Sequence, residues 1–312
     1  MDDGQPRTTE VSDGPVRAIL GPTASGKSTL ALRIVEARAR AGLATEVVAV
    51  DAFTVYRGMD VGTAKPDGAT RARVPHHLVD VLDPSEELTV VRFRDLAREA
   101  IAAVHARGAM ALLVGGSGLY WRAVVDDLSF PPTDPDVRRA VEERHSGDAD
   151  AAHAELAERD PVAAADIGAR NLRRLVRALE VIELTGRRFS DWDDAWRRYE
   201  SVYPDLDVAL LDPPDEELRA SIDARAVAML DAGLIDEVRR LREAPRSRTA
   251  AAAIGYAEAE AVLEGRAARE DLARAIAQRT WRYARRQRSW FRADPRCVAT
   301  AADEVLSGWA GA

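Results

Sequence analysis

The sequence predicts an α/β fold in which a parallel sheet is flanked by helices, with an all-helical insertion domain. Two observations lead to this prediction. Short apolar runs alternate with helical patterns over roughly the first 130 residues, which is typical of βαβ units and a doubly wound parallel sheet. Residues 134–190 then carry short amphipathic helical patterns without a convincing strand, and a strand-like run returns only at 208–211.

The elements follow one another in a regular order. The first predicted strand, Val16–Leu20, enters a Gly-rich turn, and residues 28–40 carry apolar side chains at helical spacing. A second apolar run, 47–50, ends at Asp51. The remaining patterns predict strands at 78–81, 111–114 and 208–211, and helices at 91–104, 150–159, 172–184 and 270–292.

These patterns divide the chain into three parts. Residues 1–13 are polar and punctuated by Gly and Pro, so we expect a flexible tail. A catalytic core is predicted from 14–130 and 205–312, and a helical insertion from 131–204.

Composition indicates a globular protein of a reducing compartment. The 312 residues are 46% hydrophobic and 31% charged, which excludes a collagen-like, disulfide-rich or wholly disordered chain. The N-terminus lacks the apolar core of a signal peptide, and no apolar run reaches the roughly 18 residues of a spanning helix. The single cysteine, Cys297, cannot form an intramolecular disulfide. We therefore expect a cytoplasmic protein with no membrane partner.

Net charge bears on the class of partner. A formal charge of −8 argues against a protein that coats nucleic acid non-specifically. The basic residues are 42 arginines and two lysines, Lys27 and Lys65, so arginine clusters carry less information than lysines.

The strongest motif is a phosphate loop. Residues 21–28 read GPTASGKS and fit G-x-x-x-x-G-K-S/T, between a predicted strand and a predicted helix. Such nucleotide- and ATP-binding loops direct backbone N–H groups at phosphate oxygens, the lysine neutralises charge, and the Ser28 hydroxyl can reach a phosphate-bound Mg²⁺. The motif makes the expected fold P-loop NTPase-like. Its predicted diphosphate-binding residues are Gly21, Pro22, Thr23, Ala24, Ser25, Gly26, Lys27 and Ser28.

Asp51 should emerge at the carboxyl edge of its strand, where doubly wound sheets place their ligand crevice. Three interpretations stay open. Asp51 is a Walker-B-like carboxylate that holds Mg²⁺, a general base for a bound nucleophile, or a residue that ends a strand and caps the next turn.

Longer segments carry a resemblance to a known family. Residues 51–66 read DAFTVYRGMDVGTAKP, 75–84 read PHHLVDVLDP and 112–120 read LLVGGSGLY. Further on, 171–186 read NLRRLVRALEVIELTG, 253–256 read AIGY and 285–292 read RRQRSWFR. Together with the phosphate loop, these segments resemble the tRNA dimethylallyltransferases, in that family's order, over roughly residues 16–295.

The resemblance implies a reaction. Members of the family transfer a dimethylallyl group from dimethylallyl diphosphate to the exocyclic amine of the adenine 3′ of the anticodon. The phosphate loop would then hold the diphosphate of the donor in place of ATP, with Mg²⁺ as cofactor, contacted by Ser28. Asp51 matches the family's general base, Thr23 the hydroxyl beside it, and Arg225 its diphosphate-binding arginine.

The same resemblance implies that the anticodon stem-loop of tRNA is the partner, with one adenine unstacked into the site. For Ser117 a simple helix cap is an equal alternative, and for the arginine clusters the alternative is an ordinary solvated helix face. His76 and His77 are interpreted as structural. The predicted tRNA-binding residues are Asp51, Ala52, Phe53, Thr54, Ser117, Asn171, Arg173, Arg174, Arg285 and Arg288.

The sequence also departs from the family pattern. Ala52 and Thr54 replace a Ser and a Gln next to the base, Ser221 stands where a second arginine is frequent, and Ala252 stands where a Gln is frequent. These departures concern substrate recognition, so two alternatives remain: an adenine-nucleotide prenyltransferase of cytokinin type, and a P-loop small-molecule kinase. For the oligomeric state the working expectation is a monomer.

Overall fold

The computed structural model describes residues 12–192 and 194–311. Residues 1–11 of the expected tail lie outside the described residues. The described chain divides into two compact units. One extends to Asp126 and resumes at Ser201, and the other is Asp127–Glu200.

Strands and helices alternate as the sequence predicts. Strands β1 to β5 are Val16–Leu20, Thr45–Val50, His76–His77, Met110–Gly115 and Leu206–Leu210. Helices α1 to α8 are Lys27–Arg40, Gly68–Arg73, Val90–Ala106, Gly118–Val125, Pro135–His145, Ala149–Arg159, Pro161–Ile167 and Leu172–Thr185. Helices α9 to α15 are Asp194–Arg198, Asp215–Asp231, Leu234–Leu241, Arg248–Ala251, Tyr256–Leu263, Leu272–Ala293 and Ala302–Trp309.

The first unit is built on a five-stranded sheet in the order β3-β2-β4-β1-β5, whose neighbouring strands run parallel. This confirms the predicted fold class. Strand β4 lies between β1 and β2, so the turns that follow these three strands meet at one edge of the sheet. The phosphate loop follows β1, Asp51 follows β2, and Gly116 follows β4. This edge is where a parallel sheet places its ligand crevice.

Both faces of the sheet are covered by helices. Alternate strand residues face opposite sides, so Ala18 and Leu20 belong to one core and Ile19 to the other. The first core is the larger and includes buried residues of α3, α10, α13 and α14. The second is closed by α1 and by Val305 and Trp309 of α15. Both faces of the sheet are therefore buried, and the turns at its carboxyl edge remain for a ligand.

One predicted strand is misplaced. The sequence predicts a strand at 78–81, whereas β3 consists of His76 and His77. Leu78 and Asp80 have φ values of 61° and 58°, a left-handed conformation that a strand cannot contain. His77 pairs with Glu46 at 2.6 Å, which agrees with a structural interpretation of that histidine, whereas His76 lines the cavity described below.

The second unit, Asp127–Glu200, contains helices α5 to α9 and, among its described residues, no strand. Its core includes Val141, Leu156 and Leu179. Buried Glu180 accepts hydrogen bonds from the Thr133 hydroxyl at 2.7 Å and the Asp134 N–H at 2.9 Å. Across the whole described chain, no helix is long and apolar enough to cross a membrane.

Candidate active site

A cavity of about 480 Å³ lies in the first unit at the carboxyl edge of the sheet. It brings together the phosphate loop, the turn after β2, the end of β4, the segment 62–66, and one face each of α10 and α14. The predicted catalytic residues Thr23, Asp51 and Arg225 all line it, as does Lys27. Residues more than 200 positions apart in sequence therefore meet in one site.

The phosphate loop adopts a backbone shape that only a few residue types allow. Gly21 has φ 152°, and a Cβ there would lie 2.3 Å from the Leu211 carbonyl oxygen. Ala24 and Gly26 have φ values of 65° and 87°, and Gly26 precedes α1 without a side-chain cap. Because no side chain of residues 12–192 or 194–311 accepts a hydrogen bond from the first N–H groups of α1, these groups remain available to an anion. The Ser25 hydroxyl oxygen is buried and has no hydrogen-bond partner among the described residues.

Lys27 points its ammonium into this loop. Its Nζ donates to the Pro22 carbonyl oxygen at 2.6 Å. Burial lowers the pKa of Lys27 from 10.5 to about 7, and the positive charge of Arg225 lowers it too, while Asp51 opposes both effects. Burial thus disfavours the protonated form of Lys27. An anionic ligand in the loop would stabilise that protonated form, so the loop is suited to bind an anion.

Asp51 divides its two oxygens between separate roles. Oδ1 accepts hydrogen bonds from the backbone N–H groups of Phe53 at 2.8 Å and Thr54 at 3.3 Å. Oδ2 accepts no hydrogen bond from the part of the chain that the structure describes. The capping interpretation is therefore satisfied by one oxygen, and the other is free for a proton or a ligand in the cavity.

Thr23 links the phosphate loop to two helices. Arg225 Nη1 of α10 donates to the Thr23 hydroxyl oxygen at 3.2 Å, and the Thr23 N–H donates to Gln287 Oε1 of α14 at 2.8 Å. Burial lowers the pKa of the Arg225 guanidinium, and the carboxylate of Asp51 opposes that shift. Arg225 is therefore a cation poised beside both the hydroxyl and the carboxylate of the site.

Gln287 is a site residue that the sequence analysis missed. It is buried, and its Nε2 would lie only 2.3 Å from a Cβ added to Gly116, so the glycine that follows β4 makes room for it. Tyr283, one helical turn earlier, also lines the cavity, and burial together with Asp51 raises the pKa of its hydroxyl. The only sequence signal was a single glutamine within the arginine-rich RRQRSWFR.

Part of the cavity wall is apolar. It includes Ile222, Ala226 and Met229 of α10, together with Ile254 and Ile276. Charged groups and aliphatic side chains in one cavity suit a ligand with an anionic head and a short hydrocarbon tail.

Of the residues predicted to contact RNA in the turn after β2, some line the cavity and one does not. Phe53 and Thr54 line the cavity, whereas Ala52 is buried and does not. Ser117 occupies the position before α4 but makes no capping hydrogen bond, so the simple-cap alternative is not observed. Ser221 and Ala252, two of the departures from the family pattern, do not line the cavity.

The arginines of α14 have different environments. Arg285 is exposed, as a phosphate contact requires. Arg288 is buried: its guanidinium donates to Asp212 at 2.5 Å, to Asp215 and to the Pro213 carbonyl oxygen. It lies on the inner face of α14 with Ala284 and Phe291. This environment argues against Arg288 as an RNA contact, because the side chain is buried and each of its three guanidinium nitrogens already donates a hydrogen bond.

In the helical unit, Arg173 and Arg174 are exposed near the start of α8, and Arg174 pairs with Asp166 at 3.0 Å. Asn171 caps that helix, because its side chain accepts from the Arg174 N–H at 3.3 Å. This local role accounts for Asn171 without an RNA contact.

The donor set for a metal is sparse. No cluster of three or more His, Cys, Asp or Glu side chains exists within residues 12–192 and 194–311. Mg²⁺ can nevertheless be held largely by diphosphate oxygens and water, with one or two protein ligands. The Ser28 hydroxyl, in the first turn of α1, fits that arrangement.

Comparison with known proteins gives consistent results. The family model described as IPP transferase matches residues 54–294. A protein of Bifidobacterium longum named tRNA dimethylallyltransferase is 49% identical over 283 residues, covering 90% of this chain and 84% of that protein. A second, from Kineococcus radiotolerans and of the same name, is 50% identical over 288 residues, covering 90% and 89%.

A solved structure agrees with these sequences. The tRNA isopentenylpyrophosphate transferase of Bacillus halodurans has a TM-score of 0.67 at 35% identity, covering 95% of this chain and 94% of that one. A fold and a sequence shared over nearly the whole chain indicate common ancestry.

Proposed function

The chain belongs to the IPP transferase family, and from that premise we propose that it transfers a dimethylallyl group from dimethylallyl diphosphate to the adenine 3′ of the anticodon in tRNA. The observation that carries the proposal is the meeting, in one cavity, of an uncapped phosphate loop, apolar side chains of α10 and α14 and a carboxylate with one free oxygen. A prenyl diphosphate needs the first two, and an amine nucleophile needs the third.

The diphosphate occupies the phosphate loop. Backbone N–H groups at the start of α1, the ammonium of Lys27 and the guanidinium of Arg225 face the same region. As the carbon–oxygen bond of the donor breaks, negative charge grows on the departing diphosphate, and these groups stabilise it. Mg²⁺, held by diphosphate oxygens and the Ser28 hydroxyl, would supply further neutralisation of that charge.

The adenine amine is activated at Asp51. Its lone pair is delocalised into the ring, so it attacks efficiently only if a base draws off a proton as the new carbon–nitrogen bond forms. The free Oδ2 of Asp51 receives that proton. Because Arg225 donates to the Thr23 oxygen, the Thr23 hydroxyl hydrogen stays available for a hydrogen bond within the cavity.

The RNA is held mainly through its phosphates. Exposed Arg173 and Arg174 of the helical unit and exposed Arg285 of α14 supply guanidinium groups for this purpose. The adenine must leave its stack to enter the cavity, so backbone contacts hold the stem-loop while one base is flipped. We further propose that the enzyme acts as a monomer in the cytoplasm.

The test is a three-way assay on the purified protein. Dimethylallyl diphosphate labelled in its prenyl group is offered with unmodified tRNA or with AMP, and ATP hydrolysis is followed in parallel. We expect label on the tRNA at the adenine 3′ of the anticodon, Mg²⁺ dependence and no ATP turnover. Label on AMP but not on tRNA would identify an adenine-nucleotide prenyltransferase, and ATP turnover with a small acceptor would identify a kinase.

A further inference from the structure

The segment from Asp60 to Ala64 belongs to no helix or strand, yet its second half forms a wall of the cavity. Gly62, Thr63 and Ala64 line the same cavity as Asp51. A wall made of loop backbone keeps its position only if its N–H groups find acceptors, because a buried unpaired N–H destabilises the folded state.

A single buried side chain supplies those acceptors. Glu237 of α11 is 2% exposed, and its Oε2 accepts from the N–H groups of Asp60 at 2.9 Å and Val61 at 2.8 Å. Its Oε1 accepts from the Gly62 N–H at 3.1 Å and from the Tyr256 hydroxyl at 2.7 Å. Three consecutive backbone donors therefore converge on one carboxylate, 175 to 177 residues away in sequence.

Packing fixes the same segment from a second direction. Gly62 lies against the ring of Tyr256 so closely that a Cβ would approach ring atoms to 2.4 Å. At the end of the segment, the Lys65 ammonium is buried and pairs with Asp60 at 2.8 Å and Asp80 at 2.6 Å. The segment is thus held at both ends by residues that lie outside the phosphate loop.

We propose that Glu237 is a positioning residue. It holds the Gly62–Ala64 wall at a fixed position relative to Asp51 and so places the acceptor adenine for attack. The wall lies on the same connection between β2 and α2 that carries Asp51, Phe53 and Thr54, whereas the groups assigned to the diphosphate come from α1 and α10. Displacing the wall should therefore disturb the acceptor and the chemical step, and leave donor binding unchanged. This kinetic claim depends on the proposed function.

The variant that tests the proposal is Glu237→Gln. It keeps the size of the side chain but replaces one accepting oxygen by an NH₂ group that faces backbone donors. We expect kcat for tRNA prenylation to fall about 10- to 100-fold, the effect of a misplacement of about 1 Å. The KM for tRNA should rise, and the KM for dimethylallyl diphosphate should stay within about twofold. Glu46→Gln is the matched control, because Glu46 pairs with Arg107 and His77 near the amino end of β2.

A second variant reaches the same wall by another route. Gly62→Ala leaves Glu237 intact but drives a methyl group into the Tyr256 ring, so it should reproduce the kinetic pattern of Glu237→Gln. The double variant should lose less than the product of the two single losses, because both act on one element. A similar fall in stability for both variants without any change in kcat or acceptor KM would overturn the proposal, as would an equal rise in donor KM.

Backbone hydrogen exchange separates this proposal from the proposed function. In Glu237→Gln, amides of the peptide covering 57–66 should exchange faster, while those of 21–30 should match the wild type. If the wild type transfers no prenyl group but this local loosening occurs, the proposed function and the placing of the adenine fail, while the hold of Glu237 on the 60–64 segment stands. If exchange in 57–66 is unchanged, the positioning role is wrong whatever the activity.

Discussion

Asp51 shows how one side chain serves both the fold and the site. Its Oδ1 holds the turn after β2 through the N–H groups of Phe53 and Thr54, and its Oδ2 is left for chemistry. Two of the three interpretations that the sequence left open are therefore compatible, because they use different oxygens. Substitutions at this position must be chosen so that they separate the two roles.

Asp51→Asn provides that separation. The amide oxygen can still accept from the turn, but the side chain can no longer take up a proton. We expect transfer to tRNA to fall about 10²- to 10⁴-fold, the usual contribution of a general base, with donor affinity nearly unchanged. Single-turnover rates and equilibrium binding of the diphosphate measure the two quantities. Loss of Mg²⁺-dependent diphosphate binding would instead support the Walker-B-like interpretation.

Lys27 makes donor binding depend on pH. Its pKa is about 7 in the free site, so above pH 7 the side chain is mainly neutral, whereas a bound diphosphate favours the charged form. Binding then takes up a proton, and affinity should fall by up to tenfold per pH unit as the pH rises from 7.

Calorimetric titration of inorganic diphosphate between about pH 7 and 9, in buffers of different ionisation enthalpy, measures the proton uptake on binding. Lys27→Met should bind more weakly at every pH, and the difference in proton uptake between wild type and variant is the contribution of Lys27. A pH-independent affinity in the wild type would contradict the assignment.

At the scale of elements, the sequence predicts what periodicity encodes. Strand β1 has the predicted ends, α8 differs by one residue, and the parallel order follows from alternating strands and helices. The predicted strand at 78–81 is wrong because Leu78 and Asp80 adopt a left-handed backbone conformation, which an apolar run in the sequence does not reveal. The roles of Gln287 and Glu237 could not be predicted for another reason. Their partners lie 264 and about 176 residues away in sequence, and local patterns carry no information on such distant contacts.

Helix α14 contacts the phosphate loop through Gln287. Gln287→Met has similar volume but leaves the partly buried Thr23 N–H without its acceptor, which should destabilise the fold by about 1 kcal/mol, the lower end of the effect for a buried group. Part of that destabilisation should appear as a displaced Thr23, with kcat/KM for the donor lowered about tenfold.

Steady-state kinetics with varied dimethylallyl diphosphate and a thermal melt of each protein check this expectation. Gln278→Met is the control, since Gln278 is an exposed residue of the same type on the same helix. Equal donor kinetics in the two variants would show that the α14 contact does not influence the loop.

At the scale of the whole molecule, the net charge of −8 stands against a polyanionic acceptor. Binding must then depend on where the arginines are exposed rather than on their number. Many of the 42 arginines are engaged in ion pairs, as Arg288 is with Asp212 and Asp215. Sequence clustering alone could not separate such structural arginines from exposed ones, because burial is decided by the face of the helix on which each residue falls.

Salt dependence measures how many arginines bind phosphate. We expect log affinity for tRNA to fall linearly with log salt, by about 0.7–0.9 per phosphate neutralised. Arg285→Ala, and Arg173→Ala with Arg174→Ala, should each flatten the slope by about one unit for every phosphate left without its arginine, while prenyl transfer to a minimal adenine acceptor stays nearly unchanged.

Arg40→Ala is the control, because its side chain is 78% exposed on α1 and belongs to no proposed interface. Arg288→Ala should lower stability rather than the slope. A slope that none of the exposed arginines alters, with AMP a good acceptor, would show that the changes at Ala52 and Thr54 mark a different acceptor.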